Sequence, residues 1–295
     1  MSHRKAAVGI CARHEHKYIQ ECICFNYLQG WDKIVVCLHV VPEDTEPDRT
    51  RAMIAKLPPE VLSKVTVIES LHEAGWGFQH KGYHYILQEV LDCEWLGMFD
   101  VDECLYDSQK RDIHDLLATV PDDAGQIILP WVEFGHSNRV ISATPQETRL
   151  AAFTTRIPLN PRTNFKAIVR TRNIVQKPDE QFPSNYWYYA HMARVTGRHV
   201  NFQGEDVVPP DFSFDGENFW KFWEVKANTT CFDPCLVHYF TGSMEDWVLR
   251  APRCHFNQYH PRDVKMFMDY TGEVEDTRMS IYTEELRALL AKATP

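Results

Sequence analysis

The segment "WLGMFDVDE", residues 95 to 103, decides how the chain folds. Trp95 to Phe99 are apolar and run directly into Asp100, Asp102 and Glu103. A short apolar run with polar ends is the pattern of a strand buried on both faces. Neighbouring carboxylates repel one another and resist burial, so three of them at the end of such a strand call for a cation or a chemical use.

The sequence on the amino-terminal side gives this strand its partners. "FQHKGYHYILQEVL" (78–91) has helical spacing, and "KVTVIES" (64–70) before it reads as a strand. "EPDRTRAMIAKL" (46–57) predicts a helix, with Pro58 and Pro59 just beyond it, and "KIVVCLHVV" (33–41) is a β-branched strand. In "HKYIQECICFNYLQG" (16–30), Tyr18, Ile19, Cys22, Ile23, Asn26 and Tyr27 fall on one helical face, and Gly30 is a natural stop. "AAVGICA" (6–12) is the first buried strand. Four strands alternating with three helices predict a Rossmann-like α/β fold, a mostly parallel sheet with right-handed crossovers. Ligands of such sheets gather at the carboxyl ends of the strands. That rule puts Arg13, the turn from Pro42 to Thr45, and the Asp100/Asp102 pair on one rim.

Beyond "PDDAG" (121–125) the pattern changes. "QIILPWVEFG" (126–135) and "FKAIVRTRNIV" (165–175) predict two more strands, separated by polar loops. Two aromatic-rich stretches follow, "NYWYYAHM" (185–192) and "NFWKFWEV" (218–225). The tail "YTEELRALLAKA" (282–293) predicts an amphipathic helix capped by Thr283, with Glu284 and Glu285 in its first turn. The expected organisation is one domain over 1–295, with a first half at 1–120, a second at 121–255 and a helical tail at 256–295.

Composition narrows the partners. A net charge of −10 argues against nucleic acid and anionic membranes, both of which need a basic field. No apolar run approaches the ~20 residues needed to span a bilayer, so no transmembrane segment is expected. The nine cysteines are scattered and odd in number, and they match no zinc spacing; they read as reduced thiols of a cytoplasmic protein.

Three readings of the acidic cluster stay open on the residues alone. In a strand, alternate residues share a face, so Asp100 and Asp102 could hold one divalent ion, Mn2+ or Mg2+, which would neutralise the diphosphate of a nucleotide sugar. Alternatively, "MFDVDECLYD" is similar to the opening motif of haloacid-dehalogenase-type phosphatases, with Asp100 as nucleophile and Asp102 as acid/base. Against that, Cys104 stands where the motif has Thr, and the motif begins near residue 100 rather than on the first strand. The third reading is an acidic surface turn.

The order of several segments resembles glycosyltransferases of the GT-A fold, in their family 2-like and family 92-like (DUF23-type) groups. "VGICARHEHKYIQECICFNYLQGWDKIVV" is similar to that group's R-N-E-x-x-x-I-x-E-W helix and the strand after it. "FQHKGYHYILQEVLDCEWLGMFDVDECL" is similar to its Gln-led helix and D-x-D-E segment. "WVEFGHS", "NFKAIVRTRNI", "YYAHM" and "LVHYFTGSMEDWVLRAPR" follow in the same order. His14 in place of Asn, "VVPEDTEPD" in place of an acidic D-N-x-S-x-D, and Gly242 in place of Lys are the departures.

The resemblance implies a metal-dependent, inverting hexosyltransferase that moves a sugar from a nucleotide diphosphate-sugar to a hydroxyl of a glycan or glycoconjugate. A catalytically silent carbohydrate-binding member of the group is the non-enzyme alternative. Asp100 and Asp102 would be metal ligands, completed by His238 or His191, with Glu103 pairing with a cation to hold the site. Arg13, Glu15, Gln79 and Asp100 would contact the donor. Lys166, Arg170 and Arg172 share a strand parity and would offer its diphosphate one cationic face. Glu133 is the expected catalytic base, with Asp206 and Asp215 as substitutes. Trp131, Trp187 and Trp220 are candidate platforms for the acceptor sugar.

Overall fold

The computed structural model describes residues 5–42, 48–71, 78–144, 146–175, 188–189, 191–207, 227–250 and 263–293. The first half holds β1 (Ala6–Ala12), α1 (Ile19–Leu28), β2 (Lys33–Val40), α2 (Thr50–Ile54), α3 (Pro59–Leu62), β3 (Val65–Leu71), α4 (Phe78–Glu89) and β4 (Trp95–Asp100). A short strand β5 (Glu103–Tyr106) and helix α5 (Ile113–Ala118) lead to the long strand β6 (Ala124–Glu133) and helix α6 (Arg149–Ala152). Next come the two-residue strands β7 (Thr155–Arg156) and β8 (Arg162–Thr163), then β9 (Phe165–Arg170). Short strands β10 (Tyr188–Tyr189) and β11 (Met192–Ala193) precede β12 (Arg198–Val200), β13 (Ala227–Asn228) and β14 (Cys235–His238). Helices α7 (Met244–Arg250) and α8 (Val264–Asp269), strand β15 (Val274–Glu275) and helix α9 (Thr283–Leu290) complete the chain.

The central sheet runs β3-β2-β1-β4-β9-β6-β14-β5, with β12 beside β6. Strands β3, β2, β1 and β4 are parallel, as strand–helix alternation requires. Strand β9 is antiparallel to both β4 and β6. Strands β4 and β6 therefore point the same way, and β14 runs parallel to β6. The carboxyl ends of β1, β4, β6 and β14 thus share one rim, which also receives the amino ends of the antiparallel β9 and β5.

Alternation along β1 divides the core into two layers. Ala6, Val8, Ile10 and Ala12 pack with Ile19, Cys22, Ile23 and Phe25 of α1 and with Leu286 and Leu289 of α9. Ala7 and Cys11 face the other side, with Tyr83, Ile86, Leu87 and Val90 of α4. Helices covering both faces of a mostly parallel sheet make the predicted mixed α/β class. Helix α1 stops where expected: Gly30 adopts φ 83°, and its N–H closes back on the Tyr27 carbonyl at 3.0 Å.

Three local expectations are corrected. The 165–175 strand ends at Arg170, where Thr171–Asn173 tighten into a 3₁₀ turn. Helix 46–57 shrinks to Thr50–Ile54 within the described residues. Thr283 is not a cap, because the 3₁₀ turn Arg278–Tyr282 leads straight into α9 and leaves Thr283 already helical at φ −63°, ψ −41°.

Candidate active site

Strand direction brings Asp100, Asp102, Glu103, Glu133, Lys166 and His238 to the same rim. Lys166 is the second residue of β9, so the antiparallel strand delivers its buried ammonium to the end of β4. It lies 2.8 Å from Asp100 Oδ2 and 3.5 Å from Glu103 Oε2. Glu103 is fully buried and accepts the Asp100 backbone N–H at 2.8 Å. Burial pushes the Glu103 carboxyl well up, reinforced by the Asp100 and Asp102 charges and opposed by Lys166.

Asp102 has different partners from Asp100. Strand β4 ends at Asp100 and the chain turns through Val101 and Asp102. The strand alternation expected to carry both carboxylates therefore ends at Asp100. Asp102 Oδ2 accepts from Arg250 at 3.0 Å, and its Oδ1 lies 3.7 Å from His238 Nε2. Arg250 reaches it because α7 is anchored by a reciprocal cap: Ser243 N–H donates to Asp246 Oδ2, and Asp246 N–H to Ser243 Oγ. Tyr18 and Ser142 hydroxyls donate to the same buried Asp246. Arg250 follows four residues later, on the same helix face.

Register across β5, β14 and β6 places Glu103, His238 and Glu133 side by side. Burial lowers the His238 imidazole to about 4, against the pull of the Asp102 and Asp100 carboxylates, so it is neutral at physiological pH. Its ring lies 4.2 Å from that of Trp131, which in turn lies 4.9 Å from the ring of His191. Trp131 and Glu133 also line a cavity of about 240 Å³ with Ile157, Leu159, Asn160, Arg162 and Thr163. Glu15 and Arg250 line a second, smaller cleft with His14, Lys17 and Tyr18. Arg13 follows the carboxyl end of β1, and half-buried Gln79 stands in the first turn of α4, the helix that follows β3.

As a donor set, two carboxylates and a neutral imidazole suit Mn2+ or Mg2+. The 3.7 Å between Asp102 Oδ1 and His238 Nε2 lies within the span of two ligands, each about 2.1 Å from one ion. His238 Nδ1 is buried with no hydrogen-bond partner. In chemistry, though not in spacing, the residues suit a divalent ion. Among the described residues no three His, Cys, Asp or Glu groups are close enough to hold one as they stand. Asp100 is turned toward Lys166 and would have to share itself.

Several expected residues lie elsewhere. Arg170 pairs in register with Trp95 at the opposite edge of the sheet and lies 3.6 Å from Glu94; it cannot reach a ligand at the rim. Shared parity correctly put Lys166 and Arg170 on related positions, but it does not tell one end of a strand from the other. Arg172 is exposed in the 3₁₀ turn at that far edge. Asp206 pairs with Arg198 at 3.0 Å, and Arg198 aligns with the first residue of β6, again away from the rim. Asp215, Trp187 and Trp220 lie outside the described residues. Arg250 was missed, although it stands in the quoted "LVHYFTGSMEDWVLRAPR"; its spacing from Ser243 and Asp246 on a capped helix was the available signal.

No family model matches the chain, and no characterised protein matches it in sequence. Among solved structures it is similar to the mannosyltransferase PcManGT of Pyrobaculum calidifontis, a complex with GDP-mannose and Mn2+. That likeness has 12% identity and a TM-score of 0.39, over 97% of this chain and 73% of the other. It is also similar to the galactosyltransferase LgtC bound to donor and acceptor sugar analogues, at 12% identity and a TM-score of 0.28, covering 56% and 58% of the two chains. An active-site mutant of LgtC gives 9% identity and a TM-score of 0.33 over 79% and 87%. No helix among the described residues is long and apolar enough to cross a membrane.

Proposed function

We propose that this chain is a GT-A glycosyltransferase, a single domain whose first half, 1–120, takes a nucleotide diphosphate-sugar and whose second half receives a hydroxyl acceptor. The observation that carries this reading is the convergence at one rim of Asp100 with Lys166, and of Asp102 with Arg250 and His238, beside the Trp131–Glu133 cavity.

A nucleotide sugar brings a diphosphate that must be held and then released. Among the described residues, Lys166 and Arg250 are the cations paired with the two carboxylates and would grip its oxygens, with Arg13 contributing from the end of β1. Asp100, Asp102 and His238 would hold a divalent ion, which supplies further positive charge for the leaving diphosphate. Buried Glu103 keeps Lys166 in place and receives the Asp100 N–H, so the turn enters the reaction already ordered.

The cavity beside Glu133 would seat the acceptor sugar, with the Trp131 ring as its apolar wall and Asn160 and Thr163 for its hydroxyls. Glu133 takes the proton of the attacking hydroxyl. The acceptor oxygen then bonds to the anomeric carbon as that carbon's bond to the diphosphate oxygen breaks, the electron pair leaving with the nucleoside diphosphate. This single displacement inverts the anomeric centre.

A panel of nucleotide sugars, assayed for transfer to oligosaccharides and for donor hydrolysis with and without Mn2+, tests the proposal. One donor should be consumed in a Mn2+-dependent way. Inactivity with every donor, or cleavage of simple aryl phosphates through a phosphorylated Asp100, would overturn it.

A further inference from the structure

The D-x-D turn is gripped from beneath by a buried charge that touches none of the proposed ligands. Arg149, at the start of α6, is 1% exposed, and its Nη2 donates to the Val101 carbonyl at 2.6 Å. Val101 is the residue between Asp100 and Asp102. The counter-charge is Glu21 of α1, 6% exposed. Its carboxylate accepts the Arg149 backbone N–H at 2.9 and 3.1 Å and lies 3.7 Å from the Arg149 Nε. The guanidinium packs between two aromatic rings, 4.4 Å from the centre of Tyr18 and 5.7 Å from that of Tyr239.

This arrangement is costly. Burying an ion pair seldom stabilises a fold relative to apolar groups of the same size. Arg149 Nε and Nη1 are buried without a hydrogen-bond acceptor. Thr148, immediately before it, is held at φ 64°, an unfavourable conformation for a β-branched residue. Core packing alone would be better served by Leu or Met at position 149. What the charged pair supplies is a directed hydrogen bond to one peptide carbonyl, and that carbonyl sits inside the site.

The other groups of the turn are held as well. Asp100 N–H is bound by Glu103 Oε2, and the Asp102 carbonyl accepts the Tyr239 N–H at 2.8 Å. The Val101 carbonyl, unlike these two groups, is held by a side chain from a distant helix. Tyr239 belongs to both arrangements, since its backbone holds Asp102 and its ring faces Arg149. Movement of the guanidinium therefore reaches Asp102 by two routes.

We infer that Glu21 and Arg149 form a positioning pair that fixes the Asp100–Asp102 turn for donor binding. The catalytic part of this inference rests on the transferase reading above. Loosening the turn should weaken the grip on the donor while leaving the acceptor cavity, which is built on β6, untouched.

The experiment compares E21Q/R149M and R149K with the wild type. In the double variant Gln still accepts the backbone N–H, and Met fills the space without charge. Hydrogen exchange of the Asp100 and Tyr239 amides should quicken about tenfold or more in E21Q/R149M, with β2, β3 and α9 unaffected, and less in R149K. The melting temperature should stay within a few degrees, as replacement of a buried pair by neutral groups is often nearly neutral. With a nucleotide sugar that the wild type turns over, the donor KM should rise about tenfold and the acceptor KM stay constant. Unchanged exchange at Asp100 and Tyr239, or loss of protection spread equally over β2 and β3, overturns the inference. A drop in kcat with both KM values constant does so too. A wild type inactive on every nucleotide sugar would fell the transferase reading, while the exchange result would still decide whether the pair fixes the turn.

Discussion

Asp100 and Asp102 differ in what their removal leaves behind. Asp100 is 30% exposed at the side chain, and its partner Lys166 retains Glu103. Asp102 is 14% exposed and faces Arg250, itself 12% exposed. D102A should therefore cost more stability than D100A, about 2 kcal/mol against about 1 kcal/mol or less, because it breaks the more buried of the two ion pairs. Urea unfolding of the two variants checks the order. Both aspartates were legible in the sequence because an apolar strand ran into them. Arg149 and Glu21 were not, since 128 positions separate them and only the folded chain brings them together. A charged residue at position 21, amid the apolar Ile19, Cys22, Ile23 and Phe25, was the only hint that α1 buries an acid.

Elements were legible where strand and helix alternate and obscure where they do not. Periodicity located β1 to β4, α1 and α4 within a few residues, since each strand is continuous and rich in apolar residues. It could not give the direction of β9, which an apolar run reports equally in either sense, and so it sent Arg170 to the wrong edge. Strand β5 escaped because its four residues follow the acidic turn without a break in composition.

Two tests belong to β12 and its seam with β6. A methyl group at Gly125 would stand 2.1 Å from the Thr196 carbonyl oxygen, a backbone atom that cannot swing away. Gly125→Ala should cost about 2 kcal/mol or more by prising β12 off β6, read as a lower urea midpoint. His199 of β12 is held below its ordinary pKa by burial, partly offset by Asp206, and lies 2.6 Å from the Gln126 amide. The folded chain thus resists protonating this imidazole, while the unfolded chain takes up a proton below about pH 6.5. Stability should fall as pH drops from 7 toward 5, and H199Q should flatten that slope. Urea midpoints at several pH values measure it.

For the molecule as a whole, charge and topology act together. A chain of net charge −10 still concentrates Lys166 and Arg250 where the carboxyl ends of β1, β4, β6 and β14 converge. An anionic ligand drawn to this rim needs these local cations, because the overall field repels it. The most direct measurement is titration calorimetry of uridine and guanosine diphosphates with the full chain, with Mn2+ or with a chelator, in the wild type and in D100N/D102N. One nucleoside diphosphate should bind the wild type with Mn2+, and about tenfold or more weakly with chelator or in the double variant. Equal affinity in all three conditions, or no binding in any, would contradict the account.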